Sequence, residues 1–147
     1  MRGKKATHPL VGTWRLASCS HRLADGSRWY PFGRRPAGRL VYTPEGFMMV
    51  ILMAKGRAPA RSGQVFEASE KERSEAAAGF LAYSGRCELG DRGVVHHVDL
   101  SLFPNWVGTA QLRSYRLSGD RVTFWTRSFR VGGKRQVASL SWRREIA

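Results

Sequence analysis

Apolar and polar residues alternate with a period of two along eight stretches of the chain. They are Thr13–Arg22, Gly38–Thr43, Phe47–Met53, Phe80–Leu89, Val94–Phe103, Thr109–Leu117, Arg121–Ser128 and Arg135–Arg143. A period of two puts successive side chains on opposite faces of an extended strand. The connecting segments carry turn chemistry, as in Ala24-Asp-Gly-Ser27, Thr43-Pro-Glu-Gly46, Gly90-Asp-Arg-Gly93, Ser118-Gly-Asp120 and Gly132-Gly133. Strands at short, even spacing with tight turns predict an antiparallel sandwich or barrel. One stretch departs from the pattern. Ser69-Glu-Lys-Glu-Arg-Ser-Glu-Ala-Ala-Ala-Gly-Phe80 is rich in helix formers, and Ser69 with Glu72 reads as a capping box. A single short helix between the third and fourth strands is thus expected, placed to close one end of a barrel. Lys55 to Gln64 reads as a loop beside it.

Strand phase assigns the inward faces. The first strand sends Trp14, Leu16 and Ser18 in, and the second Leu40 and Tyr42. The fourth sends in Leu81, Tyr83, Gly85, Cys87 and Leu89. In the sixth, Tyr115 and Leu117 carry Gln111 and Arg113 with them. The seventh contributes Val122, Phe124 and Thr126, and the eighth Ala138, Leu140 and Trp142. On these phases Cys19 and Cys87 lie on opposite faces of the wall, so no disulfide is expected. The third strand, Phe47-Met-Met-Val-Ile-Leu-Met53, is apolar on both faces. Its outer face therefore calls for a cover, the helix and its loop first and a second subunit next, which leaves a homodimer open.

The fifth strand admits two registers. One puts His96, Val98, Leu100 and Leu102 inside; the other puts Val95, His97, Asp99, Ser101 and Phe103 inside, beside Arg113. Apolarity favours the first. The second supplies a partner for an inward arginine, whose burial alone would cost several kcal/mol, and it is the one we favour.

Length and charge narrow the class. A chain of 147 residues is one domain's worth, divided here as a basic N-terminal tail over 1–9 and a β domain over 10–147. No apolar run approaches the ~20 residues of a membrane helix. The basic N-terminus leads into no apolar h-region. A cytoplasmic protein without membrane contact is expected. The net charge of +14 suggests nucleic acid, but the basic residues, 20 Arg among 25, are scattered from Arg2 to Arg144. No zinc-finger, helix-turn-helix or RNP-type pattern accompanies them, so only non-specific polyanion binding is expected. The absence of a Gly-x-Ser-x-Gly elbow, a phosphate-binding Gly-rich loop and an HExxH motif disfavours serine hydrolase, nucleotide and zinc-protease readings. No cofactor, metal or nucleotide, is called for.

The candidate chemistry lies in the fifth and sixth strands. His96 and His97 point to opposite faces, so they cannot share a lumenal metal. His97 and Asp99 are the candidates for proton transfer, with Arg113 steadying a developing oxyanion. The plainer alternatives are one surface and one hydrogen-bonded histidine, and an Asp99–Arg113 ion pair that fixes the wall. Tyr42, Met48, Tyr83, Ser101, Phe103, Trp106, Gln111, Tyr115 and Phe124 are the candidate ligand-binding residues. Phe103-Pro-Asn-Trp106 reads either as a lid at the pocket mouth or as a tight turn anchored by Trp106.

The segment Leu10-Val-Gly-Thr-Trp-Arg-Leu-Ala-Ser-Cys19 resembles the opening of the bacterial and fungal lipocalin-like domain proteins. The likeness continues through Tyr30-Pro-Phe-Gly33, Gly38-Arg-Leu-Val-Tyr-Thr-Pro-Glu-Gly46, Phe80-Leu-Ala-Tyr-Ser-Gly85 and Val95-His-His-Val-Asp99. Ser101-Leu-Phe-Pro-Asn-Trp-Val-Gly-Thr109 is its most specific part, followed by Gly119-Asp-Arg-Val-Thr123 and Leu140-Ser-Trp-Arg-Arg144. The resemblance implies an all-β, eight-stranded antiparallel lipocalin-like barrel of the calycin type, with one short helix. It also implies that Trp14 packs at the closed end under Arg143 or Arg144. Such barrels hold small apolar molecules, and similar ones in secondary metabolism act as cyclases or isomerases. Three readings stay open: a cyclase or isomerase that binds a hydrophobic or polyketide-like molecule, a non-catalytic carrier or sensor, and a basic interaction module.

Overall fold

The computed structural model describes residues 6–146. Eight long strands form an antiparallel wall: β1 (Gly12–Leu23), β3 (Ala37–Tyr42), β4 (Phe47–Met53), β5 (Phe80–Leu89), β6 (Gly93–Ser101), β7 (Ala110–Ser118), β8 (Arg121–Thr126) and β10 (Lys134–Arg144). Two short strands, β2 (Arg28–Trp29) on β1 and β9 (Phe129–Val131) on β10, extend its rim. Each long strand pairs with the next, and β10 pairs with both β8 and β1, which closes the barrel. Closure leaves these strands without a free edge, the liability of open sheets. Among the described residues no helix is long and apolar enough to cross a membrane.

One end is sealed. Leu10 and Trp14 are fully buried, and the Trp14 indole N–H donates to the Leu10 carbonyl at 2.9 Å. The Arg144 guanidinium stacks on the indole at 4.2 Å and donates to the carbonyls of Val11 (3.1 Å) and Pro9 (2.6 Å). Arg144, rather than Arg143, is thus the cation–π partner of Trp14; it also satisfies backbone acceptors at the chain's entry into the wall. Gly12 (φ +136°) permits this, because a Cβ there would stand in the guanidinium's place. The segment 8–10 belongs to this seal, since His8 also bonds the Gly90 carbonyl. The first five residues of the basic tail lie outside the described residues.

Two bulges reset the strand phase. In β1 the register slips between Leu16 and Ser18, so that Cys19, not Ser18, is the next buried residue on the inner face. The expected outward position of Cys19 is therefore corrected; it and Cys87 are both free thiols on inward positions. In β6 one extra residue, Asp99, stands between Val98, which faces Gly85, and Leu100, which faces Ser84. Gly85 is required here, because a Cβ would overlap the His97 carbonyl.

The helix α1 (Glu70–Ala78) carries the predicted capping box: the Ser69 hydroxyl accepts from the Glu72 N–H at 3.2 Å, and the Glu72 carboxylate accepts from the Ser69 N–H at 3.0 Å. It closes neither end of the barrel, however. None of its residues is buried, and it is held beside β5 by Arg57, which donates to the Ala76 carbonyl and lies over the Phe80 ring. Nor does it cover β4, whose outward Phe47, Met49 and Ile51 remain 40–50% exposed.

Candidate ligand cavity

Opposite the sealed end the barrel opens into a cavity of about 610 Å3. Its apolar wall comes from inward positions on β3, β4, β5, β8 and β10, among them Leu40, Val50, Leu52, Leu81, Phe124 and Leu140. The β2–β3 loop brings Pro31 and Phe32 to the cavity, and the start of β9 brings Phe129. A single 3-10 turn at Pro104–Trp106 turns Trp106 inward, edge-on to Tyr83 with ring centroids 5.4 Å apart. Phe103-Pro-Asn-Trp106 is therefore a tight turn that also delivers an aromatic side chain to the pocket.

The polar centre of the cavity is His96. It is 3% exposed, and its imidazole sits between two tyrosines, with the Tyr42 hydroxyl 2.7 Å from Nε2 and the Tyr83 hydroxyl 3.3 Å from Nδ1. Burial pushes its pKa down to about 3, with smaller contributions in the same direction from the Arg113 and His97 charges. Burial raises Tyr42 well above the ordinary phenol range. It raises Tyr83 as well, partly offset by the nearby Arg113 guanidinium. All three groups are therefore neutral across the physiological range. A neutral imidazole has one N–H and one lone pair. One tyrosine must donate to the lone pair, and the other must accept the N–H, which leaves the second tyrosine's own O–H free to donate into the cavity.

Arg113 and Gln111 stand at the rim. The β7–β8 pairing ends at Arg113 opposite Thr126. Beyond it the strands part, and Gln111, Arg113 and Arg127 line the opening together. The half-buried Arg113 donates to the Gln111 side-chain carbonyl at 2.7 Å and to the Leu112 carbonyl at 2.9 Å. On β10, outside the cavity lining, Gln136 is buried and its side-chain carbonyl accepts from the Trp29 indole at 2.7 Å. His21 bonds the same Gln136 oxygen at 3.0 Å, and its pKa is lowered first by burial.

The sequence-derived candidates divide into four groups. Tyr42, Tyr83, Trp106, Gln111, Arg113 and Phe124 line the cavity. Met48 and Tyr115 lie further toward the sealed end; Met48 is fully buried, and the Tyr115 hydroxyl donates to the Gly90 carbonyl. Ser101 faces inward opposite Tyr83 but accepts from the Phe103 N–H, and Phe103 is exposed at the mouth. His97 and Asp99 are outside the barrel, which corrects the favoured register. His97 pairs at 2.7 Å with Glu88 on the outer face, and Asp99 is the exposed bulge residue. The inward arginine does without a carboxylate because it lies at an open rim and donates to carbonyls there. His96, passed over in favour of His97, was signalled by the apolar residues around it, Val94 and Val98, both buried. Phe32 gave only a weak signal, an aromatic residue in a Pro/Gly loop. Among the described residues no three His, Cys, Asp or Glu side chains are placed to hold a metal ion.

Comparison with known proteins agrees with this architecture. A relative from Aspergillus oryzae, the 4'-hydroxy-3'-methoxypropiophenone carrier protein ppsC, is 34% identical over 96 residues, covering 58% of this chain and 86% of the relative. A family model described as a lipocalin-like domain matches residues 11–145. Cavity, family and relative together support small-molecule binding. The chain belongs to the lipocalin-like domain family.

Proposed function

We propose that the protein is a carrier that shelters a small, ring-containing organic molecule in its lumen without transforming it. The observation that carries this reading is the apolar cavity of about 610 Å3 with a neutral Tyr42–His96–Tyr83 chain at its centre. A pocket of this size suits a ligand of a few rings, and the relative is named as a carrier of an aryl ketone. Proton transfer near neutrality favours a group whose pKa lies near the working pH. His96, at about 3, is a poor base there, and His97 and Asp99 face solvent. The two free thiols suit the cytoplasm as its compartment.

The cyclase or isomerase reading has one observation in its favour: Arg113 and a tyrosine O–H are placed to hold an oxyanion without any need for a base. One experiment separates the two. Trp106 and Trp142 line the cavity, so titration with 4'-hydroxy-3'-methoxypropiophenone and related aryl ketones should quench tryptophan fluorescence saturably, one ligand per chain. Ala138 is a buried cavity residue on β10, and Ala138→Phe should weaken that binding at least about tenfold. The carrier reading expects every bound ligand to be recovered unchanged, whereas a rearranged or cyclised product would establish the enzyme. Non-saturable quenching that Ala138→Phe leaves unaltered would remove both.

A further inference from the structure

The polar lining of the cavity is unbalanced in two ways. The first is charge. Two arginines, Arg113 and Arg127, line it, and no aspartate or glutamate does. The ion pairs among the described residues are Arg39–Glu145, Lys71–Glu75, His97–Glu88 and Arg143–Asp120, so Arg113 has no carboxylate partner. A half-buried guanidinium beside an apolar lumen gains from an anion, and the protein supplies none.

The second imbalance is in hydrogen-bonding sense. Arg113 has five N–H donors; the Gln111 and Leu112 carbonyls take two, and the Tyr83 hydroxyl lies within reach of a third. With one lone pair of the Gln111 carbonyl taken by Arg113, what Gln111 mainly offers is its amide N–H pair. The Tyr42–His96–Tyr83 chain leaves one phenolic O–H free. Thr126 accepts from the Ala138 N–H, so its hydroxyl hydrogen is also free to donate. Seen from a ligand, this side of the cavity is a field of donors around a positive charge, opposite an aliphatic and aromatic wall.

We propose that the physiological ligand is an amphiphilic organic anion, with a ring-containing apolar body in the lumen and a carboxylate or phenolate oxygen on Arg113 and Gln111 at the rim. This rests on the lumen being the binding site. An anionic oxygen accepts from several donors at once and offsets the Arg113 charge, whereas a neutral ketone accepts fewer and offsets none. A charge-assisted contact of this kind corresponds to about 10- to 100-fold in affinity.

The test uses two fluorescent probes that share a ring system and differ by one charged group, anilinonaphthalene sulfonate and the neutral phenylnaphthylamine. Both are titrated into the full-length protein at high salt, where the field of the scattered surface arginines is screened. The expected result is one site per chain for both, lost in Ala138→Phe, with the sulfonate at least about tenfold tighter. Arg113→Gln should abolish that preference and leave the neutral probe within about twofold. Arg116→Gln, on the outer face of the same strand, should preserve it. If both probes enter the lumen but the preference survives Arg113→Gln, or is lost equally in Arg116→Gln, the anion proposal is overturned and the lumen reading stands. If neither probe binds in an Ala138-dependent way, the lumen reading itself falls.

Discussion

The burial of His96 makes a definite demand on acid stability. Its folded pKa of about 3 lies below the ordinary 6.5. Between those values the unfolded chain binds a proton that the native protein refuses. The contribution of His96 to stability is therefore whole above pH 6.5 and is lost as pH falls toward 3, at up to about 1.4 kcal/mol per pH unit. From about pH 7 to about pH 4.5 the expected loss is on the order of 2–3 kcal/mol. That figure hardly depends on how far below pH 4 the native value lies, because at pH 4.5 the native imidazole is already almost fully neutral. His96→Gln keeps a donor and an acceptor between Tyr42 and Tyr83 but cannot titrate. Urea denaturation followed by tryptophan fluorescence should find it about 1–2 kcal/mol less stable than wild type near neutrality, for imperfect hydrogen bonding. Near pH 4.5 that deficit should vanish or reverse. Other groups share the acid sensitivity: His21, with its pKa lowered, and Glu72 and Glu145, whose carboxyls are held below the usual range by hydrogen bonds. They are common to both proteins and cancel in the difference. Parallel pH profiles for wild type and His96→Gln would refute the neutral buried imidazole, and with it the donor count at the cavity.

Two further outcomes are expected. Arg144→Met removes the stacking on Trp14 and the donors to the Pro9 and Val11 carbonyls; equilibrium denaturation should record a loss of about 1–3 kcal/mol, and a loss under about 0.5 would show the seal to be unimportant. Gly85→Ala forces a Cβ into the His97 backbone carbonyl at the β6 bulge and should cost at least about 2 kcal/mol or prevent folding. Gly63→Ala, where a Cβ meets open space, should stay within about 0.5 kcal/mol by the same measurement.

The barrel was legible because its information is local and repeated. Alternation gives the strands, Gly and Asp turns separate them, and Ser69 with Glu72 starts the helix. On β3, β5, β7, β8 and β10 the inward faces follow directly from that alternation. What local pattern does not reveal is a bulge. One residue inserted into a strand inverts the phase of everything after it, and neither the Leu16–Ser18 slip nor the extra Asp99 is marked by an unusual composition. Each of the two registers weighed for β6 therefore describes half of it. The apolar register holds for His96 and Val98, and the polar one for Ser101. The preference for His97 and Asp99 rested on finding Arg113 a partner within the chain. A carboxylate partner is needed only in a closed lumen, whereas the parting of β7 and β8 beyond Arg113 puts it at an opening. Which end would be sealed could be inferred only through Trp14 and the family resemblance. That α1 caps neither end left no trace in its sequence, because a helix with no buried residue has no apolar stripe to read.

The seam between β1 and β10 also bears on how the chain is made. Trp14 pairs with Arg144 and Leu16 with Trp142, so the wall is completed by the last of its own strands to be synthesised. Without β10, β1 and β8 would each lack the partner that covers that edge in the finished barrel. Closure across so much chain is slow compared with the hairpins that precede it. The unfinished sheet is accordingly the state most open to pairing with a neighbour of its own kind. The cavity draws Ala138, Leu140 and Trp142 from β10, so its lining is complete only once that seam has shut.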